Sequence, residues 1–291
     1  MATKVKVLGI AQDGGLPQLG CYREHCQRAR KDSRWARKVA SLGLLNTGTG
    51  RVFLIDATPD IREQIELIHS DADLPSREAR NPLDGVLLTH AHIGHYTGLI
   101  HFGKEVMNTA ALPAYCTVEM ARFLRNNGPW GQLVDSGNIE LKVVPLEAEV
   151  ALDDKLHFRT LPVPHRNEYT DTVGYEVIGG QRRLLYIPDI DQWHRWDKDI
   201  KALVREVDYA LLDATFYSND ELPDHDMADI PHPLVEESLT LFGELAPSER
   251  SKIHFIHLNH TNHIFDADGL SRKRVEAEGL HIAEEGQIFW L

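Results

Sequence analysis

Cysteine is scarce in this chain of 291 residues: Cys21, Cys26 and Cys116 are all it has. So few, and odd in number, suits a reducing, cytoplasmic compartment better than a disulfide-stapled scaffold. Positive charge is short as well. Lys and Arg number 31 against 44 Asp and Glu, a net charge of −13. That argues against general nucleic-acid affinity, which rests on neutralising phosphates. A bound cation could still reverse the sign at one site. No apolar run approaches the roughly 18 residues of a membrane span, so no membrane partner is expected. The first ten residues are too short, and too soon followed by Gln12-Asp13-Gly14-Gly15, to read as a signal peptide. Short-period repeats and low-complexity linkers are missing too. What is present, 42% hydrophobic and 26% charged residues, is ordinary globular composition.

Histidine carries the information. Thr89-His90-Ala91-His92-Ile93-Gly94-His95 directly follows the apolar run Val86-Leu87-Leu88, which reads as a short buried strand. In an extended segment His90 and His92 share a face, because strand side chains alternate. His95 follows after a turn at Gly94. Such a cluster can present several imidazole nitrogens to one or two metal ions about 2 Å from each nitrogen.

The rest of the chain is strand-rich with helices interspersed in both halves. Strands are expected at residues 4–10, 40–46, 51–57, 113–116, 139–145, 155–163, 173–178, 183–187, 209–212 and 253–258. Helices are expected at 22–39, 58–68, 98–108, 117–127, 233–244 and 267–278. Two sheets packed together and covered by helices account for this α/β pattern. Residues 217–233 are acidic and irregular, and long for an idle loop, so they are expected to form a lid or site wall.

Three more polar residues lie just past expected strands: His165, Asp189 and His260. Each alone has a dull reading as a turn or cap residue. Together they add an imidazole, a carboxylate and an imidazole to the three-histidine cluster, the ligand chemistry of zinc, or of iron or manganese. His254 and His257 fall inside the last core strand and read as hydrogen-bonded structural residues. His263 is near enough to His260 to substitute for it. Cys21 and Cys26, with His25 between them, form a weak structural-metal signal that a distant histidine such as His232 could complete.

His90-x-His92-x-x-His95 followed in order by His165, Asp189 and His260 resembles the metallo-β-lactamase superfamily. That resemblance implies an αββα sandwich of two mixed β-sheets, a single domain over residues 1–291, and a one- or two-metal site between the sheets. A similarity over nearly the full length goes further. Gly14-Gly15-Leu16-Pro17-Gln18, Asp56-Ala57-Thr58-Pro59-Asp60, Leu212-Asp213-Ala214-Thr215-Phe216 and His257-Leu258-Asn259-His260-Thr261-Asn262 are similar to the pyrroloquinoline-quinone biosynthesis protein B (PqqB) branch. By resemblance, His90, His92 and His165 hold a first metal, His95 and His260 a second, and Asp189 bridges them.

Three departures stand out. The superfamily usually has Asp where this chain has Gly94, which removes a ligand of the second metal. PqqB proper tends to have lost much of the histidine motif kept here. Arg23 stands where relatives carry a middle cysteine, leaving Cys21, Cys26, His232 and His25 as the structural-metal set.

The leading expectation is a metal-dependent hydrolase acting on an ester, lactone, amide or phosphodiester of a small-molecule substrate. A bound cation lowers the pKa of its water to about 7, and Asp189 orients that nucleophile. The rival expectation is a PqqB-like, iron-dependent oxidation of a tyrosine-containing precursor in cofactor synthesis. A third is a binding protein that keeps the fold without the chemistry.

Overall fold

The computed structural model describes residues 3–71, 73–74, 81–222 and 232–291. Two seven-stranded sheets lie face to face. The first has the order β14-β1-β2-β3-β4-β5-β6 and the second β13-β12-β11-β10-β9-β8-β7. In chain order the first-sheet strands are β1 Thr3–Gly9, β2 Ser41–Asn46, β3 Arg51–Ile55, β4 Gly85–Leu87, β5 Leu112–Cys116, β6 Ile139–Val143 and β14 Ile288–Trp290. Those of the second are β7 Glu149–Ala151, β8 His157–Pro162, β9 Val173–Ile178, β10 Arg183–Ile187, β11 Tyr209–Asp213, β12 Ile253–Ile256 and β13 His281–Ile282. The helices are α1 Glu24–Lys31, α2 Ile61–His69, α3 Ile93–Tyr96, α4 Val118–Asn126, α5 Trp130–Asp135, α6 Ile200–Glu206, α7 Val235–Phe242, α8 Pro247–Arg250 and α9 Leu270–Ala277. This is the αββα sandwich that the resemblance implies. Among the described residues, no helix is long and apolar enough to cross a membrane.

Period-two alternation divides the first sheet between two cores. Val5, Val7, Leu42, Leu44, Phe53 and Ile55 point between the sheets and meet Phe158 and Tyr175 of the second sheet. Their neighbours Leu8, Leu45, Val52 and Leu54 face outward, under Ile61 of α2, Met120 of α4 and Leu133 of α5. Burial on both faces explains why these strands read as nearly continuous hydrophobic runs.

Strand direction brings the functional ends together. β1 is antiparallel to β2, and β2 to β3, while β3 and β4 run parallel. β1, β3 and β4 therefore end at the same edge. In the second sheet β8 and β10 are each antiparallel to β9, and β10, β11 and β12 run parallel. Their C-terminal ends also share one edge, and loops from both sheets converge there.

Two expected helices differ. The basic stretch at 22–39 is helical only as α1, because Asp32 turns its carboxylate to the Arg34 amide and starts a separate 3-10 turn, Ser33–Trp35. No long helix follows the histidines. α3 passes into a 3-10 turn, Thr97–Phe102, and Gly98 donates its N–H to Ala57 O at 2.9 Å. A Cβ on Gly98 would stand 2.1 Å from Thr58 O. Close backbone packing, not local propensity, sets this segment.

Candidate metal centre

Most residues of the cleft follow a strand end. Asp13 comes after β1, Asp56 after β3, His90 and His92 after β4, His165 after β8, Asp189 after β10 and His257 after β12, while Asp213 ends β11. His95 lies in α3. Two of these, Asp56 and His257, have φ near +65°. Such conformations cost a non-glycine residue on the order of 1–3 kcal/mol and persist where surroundings over-determine them. Asp56 is so determined: it accepts from Thr89 N at 2.8 Å, from the Thr89 hydroxyl and from His95 Nδ1 at 2.7 Å.

The first cluster joins His90, His92, His165 and Asp189. His92 Nδ1 stands 2.9 Å from His90 Nε2 and 3.2 Å from His165 Nε2. Asp189 reaches His165 Nε2 at 3.2 Å through Oδ1 and His90 Nε2 at 3.3 Å through Oδ2. Ligand atoms of a tetrahedral zinc ion, with bonds of about 2.0–2.2 Å, stand about 3.3 Å apart. The second cluster joins Asp13, His95 and His257. Asp189 Oδ2 lies 3.8 Å from both His95 Nε2 and His257 Nε2, so this carboxylate faces both groups.

Hydrogen bonds on the far side of each ring fix which nitrogen is free. The Thr89 hydroxyl donates to the Asp56 carboxylate, so its oxygen accepts from His90 Nδ1 at 3.0 Å. Thr215 donates to Asp213 Oδ1 and accepts from His257 Nδ1 in the same way. His95 Nδ1 donates to Asp56, His165 Nδ1 to Asp191 at 3.0 Å, and His92 Nε2 to Glu168 at 3.0 Å. Five imidazoles thus turn lone pairs inward, the arrangement that orients metal-bound histidines. Lone pairs facing one another at about 3 Å repel unless a cation or proton sits among them. Asp13 Oδ1, His95 Nε2, Asp189 Oδ1 and His257 Nε2 are buried without a hydrogen-bond partner among the described residues. The residues present fit a metal.

Charge distribution agrees. Burial alone would raise the Asp189 pKa, but the His165, His257 and His232 imidazoles hold it well below the carboxylate range. Burial would lower His165, yet Asp189 beside it takes it up to about 10. Burial, then His95, pushes His90 well below its ordinary value. The cleft concentrates negative charge where imidazole nitrogens point, which is what a cation meets favourably.

The sequence reading missed two members and misplaced two. Asp13 was not among the expected ligands, and His257 read as an interior residue of a strand that in fact stops at Ile256. Taking every acid or histidine within three residues either side of an expected strand end would have raised both. His260 does not join His95; it lies with Cys21, His25 and Cys26. His232 is not at the cysteines. Its Nδ1 is 2.9 Å from Asp213 Oδ2 and 3.4 Å from Asp189 Oδ1. Asp213 and the Asp13–His95–His257 group complete the cleft floor. Of the expected acidic wall, Glu221 faces inward, accepting from the Thr261 hydroxyl at 2.8 Å, while residues 223–231, with Asp224, His225 and Asp226, lie outside the described residues.

In the cysteine corner, Cys21 Sγ is 3.9 Å from His25 Nε2, and the Gln18 N–H donates to Cys26 Sγ at 3.3 Å. His260 Nδ1 is buried without a partner among the described residues. Burial, with His25 and Arg23 adding to it, lowers the His260 pKa to about 4, so its lone pair is free at neutral pH. Two thiols and two imidazoles are a structural-zinc donor set.

A family model described as a beta-lactamase superfamily domain matches residues 51–255. Coenzyme PQQ synthesis protein B of Nitrosococcus oceani is 28% identical, covering 97% of this chain and 98% of the relative. The protein of the same name from Rhizobium meliloti is also 28% identical, over 97% and 96%. A solved structure of Zn2+-bound PqqB from Methylobacterium extorquens superposes with a TM-score of 0.81 at 26% identity, over 99% of this chain and 100% of that one. The chain belongs to the beta-lactamase superfamily, with the metallo-β-lactamase fold, and is similar over nearly its whole length to proteins named for PQQ synthesis.

Proposed function

We propose that this chain is a metal-dependent enzyme acting on a small-molecule precursor in pyrroloquinoline quinone synthesis. Dioxygen would serve as oxidant of a tyrosine-derived precursor. The observation that carries the enzymatic reading is the inward set of five tautomer-fixed imidazoles around Asp189. Relatedness to proteins named for PQQ synthesis, over nearly the whole of both chains, supports the pathway. His90, His92, His165 and Asp189 would hold one ion; His95, His257 and the second oxygen of Asp189 would face another. When bound, iron would supply one-electron chemistry with dioxygen, and zinc an activated water.

The chain's own residues do the remaining work. Asp56, Asp191, Glu168, Thr89 and Thr215 hold the ligand rings in one tautomer. Burial of His90, His95 and Asp189 keeps bulk water from the ligand atoms. His232, pressed between Asp213 and Asp189, belongs to neither imidazole set. Burial opposes its protonation, but the Asp213 and Asp189 carboxylates raise its pKa, which favours the protonated ring. Cys21, His25, Cys26 and His260 would bind a structural zinc.

One observation favours a second reading, hydrolysis by two zinc ions: a single carboxylate faces both donor groups, as in a two-metal clamp. Metal analysis with parallel assays separates the readings. Iron in the purified protein and precursor-dependent oxygen uptake support oxidation. Zinc alone, with turnover of ester or phosphodiester probes and no oxygen uptake, overturns it in favour of hydrolysis. Expression in a PQQ-producing bacterium lacking its own protein B should restore PQQ, and His92→Ala should not. Failure of the intact chain to restore it would sink the pathway.

A further inference from the structure

The sequence leaves the second donor group a carboxylate short at Gly94, and the fold brings another there from the opposite end of the chain. A Cβ on Gly94 would stand 2.1 Å from Asp13 Oδ1 and 2.7 Å from Asp13 Cα. Asp13 fills the volume that a side chain at position 94 would occupy. Because Asp13 Cα is itself within 2.7 Å, a rotamer change at Asp13 could not relieve the clash. Asp13 Oδ1 lies 3.3 Å from His95 Nε2 and 3.9 Å from His257 Nε2. All three atoms are buried and lack a hydrogen-bond partner among the described residues.

The placement is built in. Gln12 N donates to Leu258 O at 2.8 Å, Leu258 N to Ile10 O at 2.8 Å, and Gly15 N to Gln12 O at 2.7 Å. The loop carrying Asp13 is therefore stitched to the strand end carrying His257. Hydrogen bonds at Asp56 and Thr215 orient His95 and His257 toward the same point.

We propose that Asp13 is the terminal carboxylate ligand of the second cation, supplied by the β1 loop in place of the histidine motif. Gly94 is then required as glycine, because Asp13 and any side chain at 94 exclude each other. A site with Asp13, His95, His257 and a shared Asp189 has the four donors of a closed shell. This rests on reading the cleft as a metal centre.

The test is zinc stoichiometry and affinity of the full chain, by elemental analysis and competition with a chromophoric chelator. Relative to the native chain, Asp13→Asn and Gly94→Ala should each lose about one zinc per chain. Asn is nearly isosteric with Asp, so Asp13→Asn answers even if Gly94→Ala folds poorly. Native zinc content and affinity in Asp13→Asn would overturn the assignment while leaving the metal centre intact. A native chain that binds no zinc in the cleft would overturn the metal-centre reading and this one with it.

Discussion

In the cleft, each inward-facing histidine has its other ring nitrogen bonded to Asp56, Asp191, Glu168, Thr89 or Thr215. At the Cys21, His25, Cys26 and His260 corner, the support found among the described residues is the Gln18 amide on Cys26. The cleft donors are oriented by hydrogen bonds from the protein itself. His25 and Cys26 stand in α1 while Cys21 and His260 lie in a loop and a turn, so the corner donors come from separate segments with few side-chain hydrogen bonds of their own among the described residues. Preorganisation of this kind belongs to a reacting site, whereas a structural ion contributes folding free energy by ordering its own ligands. The two regions should therefore respond differently to removal of a ligand.

The largest effect should come from Asp189→Ala. It removes the group shared by both cleft clusters, so metal analysis should show loss of cleft ions while the corner keeps its own. Turnover should fall about 1000-fold or more. Cys26→Ser should do the reverse. The melting temperature should drop by about 5 °C or more, as loss of a kcal/mol or two does in a chain of this size. The cleft ions should stay. A Cys26→Ser chain that melts normally but loses cleft metal would break the distinction between the regions.

Asp56→Asn sharpens the comparison, because it touches no ion and acts through His95. Zinc affinity of the second cluster should weaken about 10- to 100-fold, read by chelator competition at constant protein stability. An unchanged affinity would mean that orientation of His95 comes from packing alone. The smallest effect concerns His254, which serves neither region. Burial, with His281 adding to it, lowers its pKa from 6.5 to about 4. Between those values the unfolded chain binds a proton that the folded chain does not, so stability falls as pH drops. His254→Gln should flatten that part of the urea-midpoint profile between pH 7 and 5.

The chain order of the motif was legible. His90, His92, His95, His165 and Asp189 gather in the cleft as the sequence reading placed them together. Their strands announce themselves by apolar runs, and each lies a fixed short distance beyond one. His257 was not legible, because its strand ends two residues earlier than its pattern suggests, just before φ turns positive at His257. His232 and His260 exchanged expected places because spacing along a chain does not say which loops meet. The helix expected at 98–108 failed because Gly98 is drawn against the backbone at Ala57 and Thr58.

Composition, strand periodicity and the histidine spacing determined the two-sheet sandwich and the chemistry of its donors, since burial pattern and ligand type are properties of local sequence. Only the tertiary structure decided the membership of each cluster. Asp13 and Gly94 are 81 positions apart, yet one fills the space the other leaves. That relation depends on β1 and β4 ending at the same edge, which strand pairing alone establishes.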